Sequence, residues 1–292
     1  MKHLFLIMFI AGALAGCAGN QYNLFDTNVE SLPMEIRHQK IVNATVRIAV
    51  AGVPKGTGFV AANNIIATNF HVVQAIRRNT QGGISANISE YITVRQSNGV
   101  ILPAEPYNAS QHTQLLKYIG KDYVLLKVNG LGLKPLQLGE LGEAVPGSSI
   151  YIAGYPFGVD QAIVTKGMLS TKWKAPGNLG VGDKRNVAWL DVSMNAGNSG
   201  GPVIIFGETP EEDKVVGIAT FNLNPFAQRA GELAEFARQT KERGSVSVMG
   251  INIGGFAELV GNALRENSLG VGGCVAIEYV KEDLKHIAEP DA

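Results

Sequence analysis

The string Gly197-Asn198-Ser199-Gly200-Gly201-Pro202 sets one hydroxyl among glycines. A serine hydroxyl is a poor nucleophile until a neighbouring base takes its proton. Attack on a carbonyl also builds negative charge on oxygen, and that charge needs donors already in place. Gly197 and Ser199 can aim their backbone N–H groups at one point, because glycine permits the required backbone twist. Gly200 and Gly201 let the chain turn without a side chain over the nucleophile. A Gly-rich loop between two strands is the plainer explanation, but the composition of the whole six-residue string favours the nucleophile.

A base and an acid must accompany that serine. The chain has five histidines. His3 lies in the N-terminal apolar segment, His38 in the stretch that follows it, His112 in a polar stretch and His286 near the C-terminus. His71 closes the strand-like run Ala67-Thr68-Asn69-Phe70-His71. Alone it would read as a structural histidine; beside the serine motif it becomes the candidate base. Asp122 leads into the nearly apolar Tyr123-Val124-Leu125-Leu126-Lys127-Val128, where a carboxylate could sit at a barrel rim and fix the imidazole tautomer. Asp191 is the rival acid, but it shares a segment with Ser199 and reads better as a structural hydrogen-bonding residue. The order His71, Asp122, Ser199 is one of the known triad orders and differs from those of the α/β-hydrolases and subtilisins.

Short strands must position these groups. The chain is 46% hydrophobic with 35 glycines, so it is long and apolar enough for a packed core with many turns. Apolar runs over 42–50, 58–62, 65–68, 91–96, 100–104 and 123–128 predict one small antiparallel barrel, with hairpin turns at Asn63-Asn64 and Asn98-Gly99. A second set over 149–154, 161–169, 187–192, 202–205 and 215–220 predicts another, joined to the first by 135–146. From Asn224-Pro225 the period changes to helical, giving one helix up to Gly244 and a second over about 255–265. A strand over 274–279 and a helix over 281–287 close the chain. The expected fold is thus all-β: two six-stranded antiparallel barrels with a helical insertion near the C-terminus.

At four places this sequence resembles the trypsin-like proteases of the HtrA/Deg type: Thr68 to Val73, Asp122 to Val128, Gly154-Tyr155-Pro156-Phe157-Gly158, and Asn195 to Pro202. Val216 to Thr220 and Val275 to Leu284 add weaker support. The resemblance covers roughly 41–221 and resumes near 273. It implies a chymotrypsin-like pair of barrels with the triad in the cleft between them, a hydrogen bond from Thr220 to Asp122, and pairing of the substrate backbone near Phe221. The sequence departs from the family in three ways. The insertion at 222–272 replaces a short loop, the long separation of His71 and Asp122 implies an enlarged loop within 77–89 or 110–120, and no room is left for a C-terminal PDZ domain. Asn198 stands where digestive relatives carry an acid, so activation by propeptide cleavage is not expected. By motif position Ser193 should form the base of the primary pocket, with Met194 and Asn195 on one wall and Ala219 and Thr220 on the other. None is charged, and an unpaired buried Lys or Arg is costly, so small to moderate aliphatic residues should be preferred.

The N-terminus reads as an export signal over 1–16: Lys2, an apolar run from Leu4 to Ala15, and Leu14-Ala15-Gly16-Cys17, which resembles a lipobox. The expectation is an exported protein lipidated at Cys17, tethered to a bacterial membrane through 17–40 and facing the periplasm, with the catalytic domain over 41–289. Its first barrel should span about 41–135 and its second about 146–289. Of the two cysteines, Cys274 is then left without a partner and reads as a small buried hydrophobe. A formal net charge of +0 gives no basic excess for nucleic acid, and no metal or cofactor is implied. The expected function is a serine endopeptidase of the bacterial envelope acting on exposed or unfolded protein segments, with oligomeric state open. The alternative is a gated or inactive trypsin-fold protein that binds polypeptides in a chaperone-like way.

Overall fold

The computed structural model describes residues 32–78, 84–222, 227–242, 247–248, 251–266 and 270–288. Cys17 and the export segment lie outside them. So do 223–226 and 243–246, where the predicted start and stop of the first insertion helix fall.

Alternating burial builds two closed barrels of six strands each. The first comprises β1 (Thr45–Val50), β2 (Val53–Ala62), β3 (Ile65–Thr68), β6 (Ile92–Arg95), β7 (Ile101–Pro106) and β8 (Val124–Lys127). Its interior holds Val46, Ile48, Phe59, Ile66, Val94, Val124 and Leu126. The second comprises β9 (Ser149–Gly154), β10 (Ile163–Ala175), β11 (Arg185–Asp191), β12 (Pro202–Ile205), β13 (Lys214–Asn222) and β16 (Val271–Ala276). Ile150, Ile152, Leu169, Leu190, Val203, Val216 and Cys274 fill it. Cys274 is fully buried, and burial pushes its thiol pKa up to about 12, so it packs as a hydrophobe. The connection between barrels touches both: Leu136 N–H donates to Val60 O, and Leu138 bridges to Val215.

Each of the two alternative segments expected to enlarge the loop between His71 and Asp122 contains regular structure. The short helix α2 (Phe70–Val73) is followed by the hairpin β4 (Gln74–Arg78) and β5 (Ile84–Ile88), and α3 (His112–Lys121) precedes β8. In the insertion, α4 (Ala227–Glu242) and α5 (Ile253–Glu266) pack on one another, with the two-stranded pair β14 (Ser247–Val248) and β15 (Ile251–Asn252) between them in sequence. The last helix is α6 (Glu278–Ala288).

The strand expected over 42–50 is corrected at its start, and the stretch before residue 40 read as a tether ends in a helix. Leu32–Ala44 is a helix, α1, and β1 begins only at Thr45. Arg37, Ile41 and Ala44 are buried at helical spacing. The buried face was hidden in the sequence because one member is an arginine. Its guanidinium donates to the carbonyls of Gly207 and Glu208, pairs with Asp213 at 3.1 Å and lies over the Phe206 ring.

Candidate active site

Three elements distant in sequence meet beside the seam between the barrels. α3 ends at Asp122, which caps it in the left-handed conformation at φ 58°, ψ 47°. That backbone is uncommon for a residue with a side chain, though Asp tolerates it better than most. The Asn69 side chain holds it there by donating to Asp122 O at 2.8 Å. The turn aims the Asp122 carboxylate at α2, where it accepts the His71 backbone N–H at 3.2 Å and faces His71 Nδ1 at 3.0 and 3.1 Å. Asp122 is almost fully buried.

Thr220 supplies the third bond to that carboxylate, its Oγ1 donating to Oδ2. The register between β13 and β16 slips between Ala219 and Phe221, so Thr220 sits in a bulge. A bulge re-aims one side chain out of the alternating pattern. The carbonyl of the same Thr220 accepts the Ser199 hydroxyl at 3.4 Å. Thr220 thus links the carboxylate and the serine, one through its side chain and one through its main chain.

The Ser199 loop is shaped by backbone. Gly197 has φ +102°, and a Cβ there would come within 2.3 Å of Tyr155 O. Gly200 has φ +89°, and its Cβ would meet Thr57 O at 2.0 Å. Such positions admit only glycine. Ser199 O accepts the Thr57 N–H at 2.8 Å, Gly197 O accepts the Thr57 hydroxyl at 2.6 Å, and Gly200 N–H donates to Ala219 O at 2.7 Å. Ala196 O accepts the Phe157 N–H at 2.6 Å. In a trans peptide the N–H points opposite to the C=O, so this bond turns the Gly197 N–H away from Phe157. Neither Gly197 nor Ser199 donates its N–H to a backbone carbonyl among the described residues.

Electrostatics favour a charged imidazole once a proton arrives. Burial works against the imidazolium, but the Asp122 carboxylate outweighs it and His71 ends above its ordinary pKa of 6.5. Burial likewise resists the Asp122 charge, but His71 and Thr220 hold the carboxyl below its ordinary value. With Nδ1 committed to Asp122, Nε2 is left for proton exchange. His71 Nε2 makes no hydrogen bond among the described residues.

A family model described as "Trypsin-like peptidase domain" matches residues 56–218, more than half of the chain. The chain belongs to this family. Among curated relatives, a probable periplasmic serine endoprotease DegP-like from Ectopseudomonas mendocina is 34% identical over 149 residues, covering 51% of this chain and 26% of that protein. Serine protease HTRA1B from Danio rerio is 25% identical over 230 residues, covering 77% of this chain and 43% of that protein. The chain therefore spans less than half the length of either relative. The fold matches the active form of the Rv3671c protease from M. tuberculosis, with TM-score 0.54, 18% identity, and 89% of this chain and 88% of that one covered. It also matches the HtrA-type protease AlgW with tripeptide, with TM-score 0.52, 19% identity, and 87% and 62% covered.

Within this trypsin-like domain the expected pocket residues behave unequally. Ser193 is exposed, and Met194 is 2% exposed, packed in the second barrel core with its thioether against Gly272. Asn195 is half-buried, its carbonyl accepting the Asn198 N–H, while Ala219 and Thr220 are buried on β13. The register of β12 with β13 ends at Pro202 and Ile218, so beyond Ala219 the edge of β13 that faces away from β16 has no strand beside it among the described residues. Phe221 lies on that edge; its side chain is outside the described atoms. Asp191 is corrected: its side chain is exposed and makes no hydrogen bond among the described residues, so it is neither His71's partner nor a structural tie.

Sequence reasoning missed three supporting residues. Thr57 stands between two glycines, a faint signal of close backbone approach. Asn69 is a polar residue just before a buried run. Arg185 gave no signal: it opens β11, and its guanidinium comes within 3.7 Å of Asp122 Oδ2. Its Nε and Nη1 are buried without a hydrogen bond, and its charge pulls the His71 pKa down against the effect of Asp122.

Proposed function

We propose that this chain is a serine endopeptidase of the bacterial envelope, with His71, Asp122 and Ser199 as its triad and the N–H groups of Gly197 and Ser199 as its oxyanion donors. The observation that carries the reading is the convergence on Thr220. Its hydroxyl orients the carboxylate that holds His71, and its carbonyl receives the Ser199 hydroxyl. In the reaction His71 takes the Ser199 proton as Oγ attacks the peptide carbonyl, then gives it to the leaving amine. Asp122 stays ionised and stabilises the imidazolium, and water completes hydrolysis of the acyl-enzyme. For that step the Ser199 hydroxyl must leave the Thr220 carbonyl, which it contacts at 3.4 Å, and turn to His71 Nε2, to which it makes no hydrogen bond among the described residues.

Exposed or unfolded protein segments are the proposed substrates, since the open edge of β13 pairs an extended backbone whatever its sequence. The periplasmic relatives support an envelope location. A lipid at Cys17 is the proposed anchor, and no helix among the described residues is long and apolar enough to cross a membrane. The test uses the protein lacking residues 1–17. It should cleave casein and react with a serine-directed fluorophosphonate, and Ser199→Ala should do neither. Casein cleavage that survives in Ser199→Ala would end the proposal.

A further inference from the structure

A cavity of about 320 Å³ opens beside Gly197. Arg47, Pro54, Lys55, Tyr155 and Phe157 line it. It includes none of the five positions expected to wall the primary pocket. Gly197, which carries one of the proposed oxyanion donors, lines this cavity. If the acyl half of a substrate lies along β13, the half that leaves crosses this cavity.

The cavity carries excess positive charge. Arg47 commits only one nitrogen, Nη1, to the carbonyls of Gly158 and Val159 and to Asp160 Oδ1. Its Nε and Nη2 make no hydrogen bond among the described residues and are not sealed from solvent. Asp160 is the sole carboxylate on this guanidinium among the described residues, it is shared with Arg95, and it is largely exposed. Lys55 lines the same cavity, is exposed and has no ion pair among the described residues. The exposed Phe157 ring and Pro54 give the cavity an apolar floor for the stem of a side chain.

We propose that this cavity binds a carboxylate on the leaving-group side of the scissile bond, held by Lys55 and the free nitrogens of Arg47. The assignment of sides rests on the endopeptidase reading. The carboxylate comes from an Asp or Glu side chain or from the substrate's own C-terminus, and both present the same chemistry to a guanidinium.

The test is a set of quenched peptides with Leu before the scissile bond. Each of the three residues after it is set in turn to Glu, Gln or Lys, and every peptide is made with an amidated and a free C-terminus. Glu should exceed Gln by roughly three- to tenfold in kcat/KM, mainly through KM, at one of the three positions. The ratio should shrink toward one in about 0.5 M salt, where charges beyond a few ångströms are screened. It should fall in Lys55→Gln and reverse in Lys55→Glu. An advantage of the free acid over the amide, without one for Glu, assigns the site to the chain terminus. The same peptides bound to Ser199→Ala, followed by fluorescence anisotropy, read the cavity without turnover. Fluorophosphonate labelling of the unmodified protein reads the nucleophile separately. Equal behaviour of Glu, Gln and Lys peptides together with no advantage of the free acid over the amide, or a preference indifferent to Lys55→Glu, overturns the proposal even where labelling succeeds. Glu-selective, Lys55-dependent binding without labelling would sustain the cavity and remove the peptidase.

Discussion

The two halves of the site are held by different means. Around His71 and Asp122 the forces are side-chain bonds: Asn69 fixes the backbone of Asp122, Thr220 fixes its carboxylate, and Arg185 adds charge at 3.7 Å. Around Ser199 the forces are main-chain bonds and steric fit, with Gly197 and Gly200 pressed against the backbone of Tyr155 and Thr57. The first half is set by separate side-chain bonds, so its substitutions should range from large to slight according to the bond removed. The second is defined by shape, and a single methyl group should disrupt it.

The largest expected effect tests the chemical half. Asp122→Asn keeps size but loses the charge that selects the His71 tautomer, so turnover should fall by on the order of 10⁴, the loss that the equivalent Asp-to-Asn change causes in trypsin. Near-normal steady-state cleavage would mean that His71 is not governed by Asp122. Gly197→Ala tests the shape half. A Cβ 2.3 Å from Tyr155 O must displace the peptide that carries one oxyanion donor. A loss of about 10²–10³ in kcat is expected, with a lower Tm. A variant with normal Tm and normal kcat would show that the loop yields more easily than its contacts imply.

Smaller effects sharpen the contrast. Thr220→Val keeps the shape and removes one bond to a buried carboxylate, which should cost roughly tenfold in kcat/KM. A Thr220→Ser variant should recover most of it; failure of that rescue would make the role of Thr220 one of packing. Arg185→Gln should alter activity least at its optimum and instead move the acid limb of the profile. Activity requires neutral His71, so it is lost as the pH falls through the His71 pKa, which lies above 6.5. Removing the nearby positive charge raises that pKa further, so the limb should move to higher pH. A limb that stays in place or moves to lower pH would show that Arg185 does not act on His71 electrostatically.

Much of this was legible in the chain. The glycines at 197, 200 and 201 marked places where only glycine fits, and period-two apolar runs marked most of the barrel strands. Asp122 stood out as an acid before an apolar strand. Other features left no such trace. The helix at Leu32–Ala44 buries Arg37, which pattern reading counts as exposed. The apolar stripe is complete only because Asp213 and two carbonyls from the second barrel receive that charge.

The sequence by itself therefore determined the candidate reactive groups, their order and the turns around them, because those depend on residue type and local backbone freedom. Only the tertiary structure decided which carboxylate His71 meets, that Thr220 swings out of register in a bulge, that Arg185 arrives beside Asp122, and that Thr57 clasps the Ser199 loop. Each of these is a contact between segments far apart in the chain. Closing two barrels and setting them against each other fixes such contacts, and no local pattern encodes the distance across a seam.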